Sequence, residues 1–168
     1  MLSVVVTGPR GGKVTPILED RLLDVSYVCM RELNICRFNG VVYIKIFKDL
    51  GGAGGFCMVD RVRTKENRNE WEVVIELVYN SEEMVETIST LCHEFVHAKQ
   101  FLRKELSEYG HRWKGKLIKD DKSDPWGIKL PHEKEAYRRE KVLFNRVAKN
   151  ADLKWVKQYN MVYDRGII

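Results

Sequence analysis

The sequence lacks several features that mark common protein classes. No apolar run approaches the roughly 20 residues of a transmembrane helix. The 168 residues include only four cysteines, and no two of them form a CxxC pair. Scattered cysteines argue against a zinc ribbon or a thioredoxin-like site and favour reduced, buried thiols in the cytosol. There is also no internal repeat and no low-complexity tract. These absences leave an ordinary globular domain with no membrane partner.

The first residues carry no basic leader segment. Residues 2–6 form a short apolar run that stops at Gly8 and Pro9. This pattern is typical of a first strand rather than of a signal peptide. We therefore expect a cytoplasmic protein.

Positive charge is concentrated in the second part of the chain. The net charge is +5, but residues 1–102 carry 12 basic and 14 acidic side chains, whereas residues 103–168 carry 17 basic and 10 acidic ones. Such a bias is typical of nucleic-acid binding, of an acidic partner, or of a solvated helix face. Because no RNA- or DNA-binding motif accompanies it, we favour the solvated face, and nucleic acid remains a partner without motif support.

Hydrophobic periodicity predicts an α+β domain over residues 1–150, followed by a tail at residues 151–168. The helical segments repeat apolar residues every three to four positions, and the strand segments are rich in β-branched and aromatic residues. Short links between the three central strands suit a small, mostly antiparallel sheet in meander order. The predicted order is strand 2–6, helix 16–33, strands 41–47, 56–62 and 71–79, a helix that starts within residues 80–83 with Asn80 or Ser81 as its cap and continues to 102, and helix 131–150.

An HExxH motif lies in the second predicted helix. His93 and His97 are four residues apart, so both imidazoles project from one face and can bind one zinc ion at about 2.0–2.1 Å. Glu94 is placed to take a proton from zinc-bound water rather than to bind the metal. The motif therefore predicts a zinc site with Glu94 as the catalytic base.

A catalytic zinc needs a third protein ligand. In the last helix, Glu133 shares an otherwise mostly apolar face, whereas Glu135 shares its face with several arginines and is expected to be solvated. Helical phase therefore favours Glu133, although a carboxylate in a first turn is also favoured by the helix dipole. Glu135 and the loop residue His111 remain alternative ligands.

Three segments resemble the small zinc metallopeptidases of the gluzincin type, the minigluzincins, that occur in phages and prokaryotes. The resemblance covers roughly residues 81–140 and also the layout of the front half. It departs at Tyr137, where many members carry an acid or amide that steadies a ligand histidine, and at His132, where tryptophan is common. The segments are HEFVHAKQ at residues 93–100, WKGK at 113–116 and PHEKEAY at 131–137.

The resemblance implies a zincin-like fold and a metallopeptidase in which His93, His97 and Glu133 bind zinc and Glu94 activates water to hydrolyse a peptide or protein substrate. SprT-like proteases, which act on DNA-bound proteins and use a third histidine, are the nearest alternative, with Gly110-His111 as the matching segment. A non-catalytic zinc protein that binds nucleic acid or protein is the alternative of another class.

In such enzymes the substrate lies extended along an edge strand, here expected near residues 56–60. Tyr109, His111 and His132 are the candidate donors to the oxyanion. The aromatic tail after Asn150 is expected to pack on the domain surface, or else to cover the cleft and keep an enzyme latent.

Overall fold

A computed structural model describes residues 1–8, 11–63, 69–119, 124 and 127–150. The seven predicted segments are all present, and the α+β class is confirmed. The tail at residues 151–168 lies outside the described residues, so the hypothesis of a covered cleft is not addressed. The elements are β1 (Leu2–Thr7), α1 (Pro16–Glu32), β2 (Gly40–Phe47), β3 (Gly55–Arg63), β4 (Asn69–Val78), α2 (Met84–Leu102), β5 (Arg112–Trp113), β6 (Lys116–Leu117) and α3 (Pro131–Lys149).

The central sheet has four strands in the order β1-β2-β4-β3. β1 and β2 are parallel, β2 and β4 are parallel, and only β3 runs antiparallel to its neighbour β4. The prediction of a mostly antiparallel sheet therefore holds for the β3–β4 pair alone, and the meander order is wrong because β4 lies between β2 and β3. As a result β3 is an edge strand, as expected for residues 56–60.

Strict alternation in β2 and β4 places one face of the sheet in the core. Helices α1 and α2 cover this face, and α2 also packs against α3. Because α2 lies between the sheet and α3, its side chains are buried on almost all sides. In β2 and β4 the buried apolar residues are Val42, Ile44 and Ile46 of β2, and Val73, Ile75 and Leu77 of β4.

Two local features differ from the sequence-based prediction. Helix α2 begins at Met84, after Glu83, and the Asn80 side chain instead accepts a hydrogen bond from the Glu82 amide at 3.0 Å. The segment between α2 and α3, where no strand was predicted, contains a hairpin of two two-residue strands, β5 and β6, whose turn residues Lys114 and Gly115 both have positive φ. Within the described residues, no helix has the length and hydropathy needed to cross a membrane.

Candidate metal centre

Three side chains from α2 and α3 converge on one point. The Nε2 atoms of His93 and His97 are 3.1 Å apart. Glu133 places Oε2 3.2 Å from the Nε2 of His93 and Oε1 3.3 Å from the Nε2 of His97. The helical spacing of the histidines and the crossing of α3 over α2 together create the cluster. Among the described residues, these three form the group of side chains suited to holding a metal ion.

The donor spacing fits a zinc ion. Ligands that bind zinc tetrahedrally at about 2.0–2.1 Å are about 3.3–3.4 Å from one another, and the donor separations in the cluster are 3.1–3.3 Å. Two imidazoles and one carboxylate are also a common donor set for zinc sites that keep a position open for water or substrate. The residues present therefore fit this metal.

A carboxylate fixes the orientation of His93. Glu140 lies two turns after Glu133 in α3, and its Oε2 is 3.2 Å from the Nδ1 of His93. The hydroxyl of Ser89 donates to the other oxygen of Glu140. Since an ionised carboxylate only accepts, Nδ1 carries the proton and Nε2 is left to bind the metal. Glu140 thus supplies the hydrogen-bonding carboxylate that the sequence lacks at position 137. The ring of Tyr137 instead packs against His93, with the ring centroids 4.6 Å apart.

The metal-free cluster holds a proton strongly. Burial alone would lower the pKa of His93, but hydrogen bonds to Glu133 and Glu140 outweigh it and raise this pKa to about 9. Burial alone would raise the pKa of Glu133, but its hydrogen bonds to His93 and His97 hold that pKa well below its usual range. A divalent cation must therefore compete with a proton for the Nε2 of His93.

Glu94 faces the same space without joining the cluster. Its side chain is buried, with the residue only 5% exposed. Burial raises its pKa to about 7, while the neighbouring His97 and His93 limit the rise. Within the described part of the chain, its carboxylate has no hydrogen-bond or ion-pair partner. A carboxyl group that titrates near neutral pH is suited to accept and return a proton.

A glycine brings the edge strand against Glu94. A Cβ atom at Gly55 would lie 2.9 Å from the Thr90 Cγ2, 3.0 Å from the Glu76 carbonyl oxygen and 3.1 Å from the Glu94 Cγ. Any larger residue would therefore push β3 away from α2. The first residue of β3 is thus in direct contact with the candidate base.

The cluster opens into a cleft of about 1150 Å³. Its walls come from the glycine-rich start of β3, from one side of α2 and from the beginning of α3. His132 and Tyr137 line it beside the histidines. Burial lowers the pKa of His132 and raises that of Tyr137, so at neutral pH both side chains are uncharged hydrogen-bond donors.

The other predicted site residues, except for His132, lie outside the cluster and the cleft. Glu135 is not solvated: its side chain is 10% exposed and bonds to Lys99, Gln100 and Arg139. It lies outside the cluster because its carboxylate is committed to these partners. His111 is exposed and stacks on Tyr109, which is itself 82% exposed. Of the three candidate oxyanion donors, only His132 lines the cleft.

Two supporting residues were missed in the sequence. The signal for Glu140 was a carboxylate within the mostly apolar stripe of the last helix, because a buried carboxylate needs a hydrogen-bond partner. Gln100 is completely buried in α2 and places its Oε1 2.9 Å from the Nδ1 of His97. A glutamine one turn after a candidate ligand was a weaker signal, because its other partners come from α3.

Comparisons with known proteins found no matching family model, no matching curated protein and no matching solved structure.

Replacement of Glu133 by alanine should weaken zinc binding about 100-fold or more, because it removes one of three donors. Replacement of His111 by alanine should leave the zinc affinity unchanged, since this exposed ring lies outside the cluster. Zinc affinity is measured by competition with a chromophoric chelator. Loss of affinity in His111→Ala with retention in Glu133→Ala would reverse the assignment of the third ligand.

Zinc affinity should rise about tenfold per pH unit between pH 7 and 9, because binding must displace one proton from His93. The stability that protonated His93 gives the metal-free protein is fully present below pH about 6.5 and is lost as the pH rises through about 9. Zinc should therefore stabilise the fold more at pH 8.5 than at pH 6.5. Calorimetry in buffers of different ionisation enthalpy counts the released protons. Zinc binding without proton release would contradict the expectation.

Proposed function

We propose that this protein is a zinc-dependent metallopeptidase with a zincin-like active site. The observation that carries the proposal is the buried Glu94 carboxyl, unpaired within the described residues, beside a donor set that fits zinc. A purely structural zinc site has four protein ligands and no need of a free carboxyl group next to it. Here three ligands and a neighbouring base open into a wide cleft, which supports hydrolysis as the function.

The chain's own residues divide the chemistry between them. A bound zinc ion would act as a Lewis acid toward a carbonyl group and make water more acidic. Glu94 would accept the proton of the attacking water and pass it to the leaving amine, which its pKa of about 7 suits. His132 and Tyr137 are the uncharged donors that line the cleft, and they are the candidates to stabilise negative charge on the carbonyl oxygen.

The edge strand supplies a surface for an extended substrate. The Val78 amide donates to the Gly54 carbonyl at 2.8 Å, so residues of β3 in the same phase as Gly54 face β4. The main-chain groups of Gly55, Cys57 and Val59 then face away from β4, along the free edge. A peptide can add to this edge by main-chain hydrogen bonds. A cleft of about 1150 Å³ also exceeds most small-molecule pockets.

The variant Glu94→Gln tests the proposal. It keeps the size of the side chain and the zinc ligands but removes the base, so it should retain zinc and lose peptide cleavage by about 10²–10⁴-fold. Cleavage of a peptide library is followed by mass spectrometry in the zinc-loaded protein. The control is Glu19→Gln, an exposed glutamate in the first turn of α1 that does not line the cleft, which should cleave normally. If Glu94→Gln cleaves as fast as the unaltered protein, the proposed mechanism is wrong.

Two alternatives differ in their support. For a SprT-like site with a third histidine, His111 would have to reach the metal, and among the described residues it is not part of the metal-binding group. For nucleic-acid binding, one observation is favourable. A groove of about 350 Å³ between the β5–β6 hairpin and α3 is lined by Lys114, Lys134 and Arg138 beside Trp113. Its one carboxylate, Glu135, is already paired with Lys99 and Arg139.

If this groove binds nucleic acid, the double variant Lys134→Glu/Arg138→Glu should weaken binding of a fluorescent single-stranded oligonucleotide at least tenfold, and binding should weaken steeply between 50 and 200 mM salt. The double variant Lys13→Glu/Lys48→Glu makes the same charge change at exposed residues outside the groove. Equal effects of the two pairs on fluorescence anisotropy would mean that only net charge matters and that the groove is not a site.

A further inference from the structure

Gln100 connects the metal cluster to the start of α3. It is completely buried and uses both ends of its amide group. Oε1 lies 2.9 Å from the Nδ1 of His97. Nε2 donates to the main-chain oxygen of His132 at 3.0 Å and to the Oε2 of Glu135 at 3.0 Å.

The two acceptors at one end determine which way the amide group points. A main-chain carbonyl and an ionised carboxylate can only accept hydrogen bonds. If the amide were turned over, its oxygen would face both acceptors at about 3 Å, and two buried hydrogen bonds would become two repulsive contacts. Glu135 and the carbonyl of His132 thus direct the amide oxygen toward His97.

This orientation decides which nitrogen of His97 carries the proton. An amide oxygen can only accept, so the hydrogen bond to Gln100 requires a proton on the Nδ1 of His97. In the neutral ring this excludes a proton on Nε2, which can donate to Glu133 only when His97 carries both protons. The lone pair then lies on Nε2, the atom 3.3 Å from the Oε1 of Glu133 and 3.1 Å from the Nε2 of His93. The opposite tautomer would direct an N–H group at the place where a metal must bind.

Glu135 is itself held in place from two sides. Its Oε1 is 3.2 Å from the Nζ of Lys99, a residue that is almost fully buried, and 3.1 Å from the Nε of Arg139. These ion pairs leave Oε2 directed at Gln100. Glu135, which was an alternative ligand in the sequence analysis, is therefore connected to the candidate ligand His97 through two successive hydrogen bonds.

We propose that Gln100 and Glu135 are positioning residues that fix the tautomer of His97 and so prepare it to bind zinc. His93 receives a carboxylate directly, from Glu140. His97 instead hydrogen-bonds to the neutral amide of Gln100, which the carboxylate of Glu135 orients. The inference rests on the proposed zinc site but not on any hydrolytic activity.

The experiment measures zinc affinity and the His97 tautomer in four proteins: the unaltered chain, Gln100→Leu, Glu135→Leu and the double variant. Loss of such a supporting contact typically costs 10–100-fold in metal affinity, and we expect this loss in Gln100→Leu. Glu135→Leu should lose less. The double variant should be no weaker than Gln100→Leu, because both residues act through the same hydrogen bond to His97.

The tautomer gives a readout that a purely structural role would not change. Nitrogen-15 NMR of the metal-free proteins, at a pH where the ring is neutral, should show His97 protonated on Nδ1 in the unaltered chain and a mixture of tautomers in Gln100→Leu. Glu135→Gln keeps an acceptor oxygen for Gln100 and should restore both the tautomer and the affinity. It also serves as the milder variant should a leucine substitution fail to fold.

Unchanged zinc affinity in a folded Gln100→Leu protein would overturn the proposal. So would multiplicative effects of the two leucine substitutions, or an unaltered chain whose His97 is protonated on Nε2. If the unaltered chain bound no zinc, the proposed function would fail instead, and the NMR measurement would still decide the role of Gln100.

Discussion

The packing of α3 across α2 is the contact on which the whole site depends. Either helix alone presents an incomplete donor set: α2 carries His93 and His97, and α3 carries Glu133 and the supporting Glu140. Each helix also contributes to the apolar core, in which Phe95 of α2 and Phe144 of α3 are almost fully buried. Polar pairs join the two helices, namely Ser89–Glu140, His93–Glu133 and Gln100–Glu135. These polar pairs set the orientation of each ligand.

The edge strand β3 requires a small residue where it approaches α2. Because β3 starts with Gly55 beside Thr90 and Glu94, the sheet can approach α2 closely at the one place where the candidate base lies. The same strand has β4 on one side and a free edge on the other. The glycine-rich stretch before β3 is therefore more than a flexible link, since its last residue removes the Cβ that would separate the base from the edge.

Local periodicity predicted the elements, but not how they meet. The i, i+4 spacing placed His93 and His97 on one face, and helical phase chose Glu133 over Glu135, because both arguments use a single helix. Alternation in the strands defined the buried face of the sheet but not which strands are neighbours, so β4 was not placed between β2 and β3. Glu140 and Gln100 gained their roles from the crossing of α2 and α3, which no pattern within one helix contains. The β5–β6 strands, with two residues each, are too short to show a period.

The balance of charge in the cluster favours binding of a cation. Glu94, Glu133 and Glu140 bring three carboxyl groups to two imidazoles in a largely buried space. Without a metal, hydrogen bonds to Glu133 and Glu140 raise the pKa of His93 to about 9, and burial raises the pKa of Glu94 to about 7, so both groups hold protons. A divalent cation between the histidines would relieve the excess of negative charge without these protons. The group that would then gain most in function is Glu94, because a carboxylate freed of its proton beside a metal is a base at neutral pH.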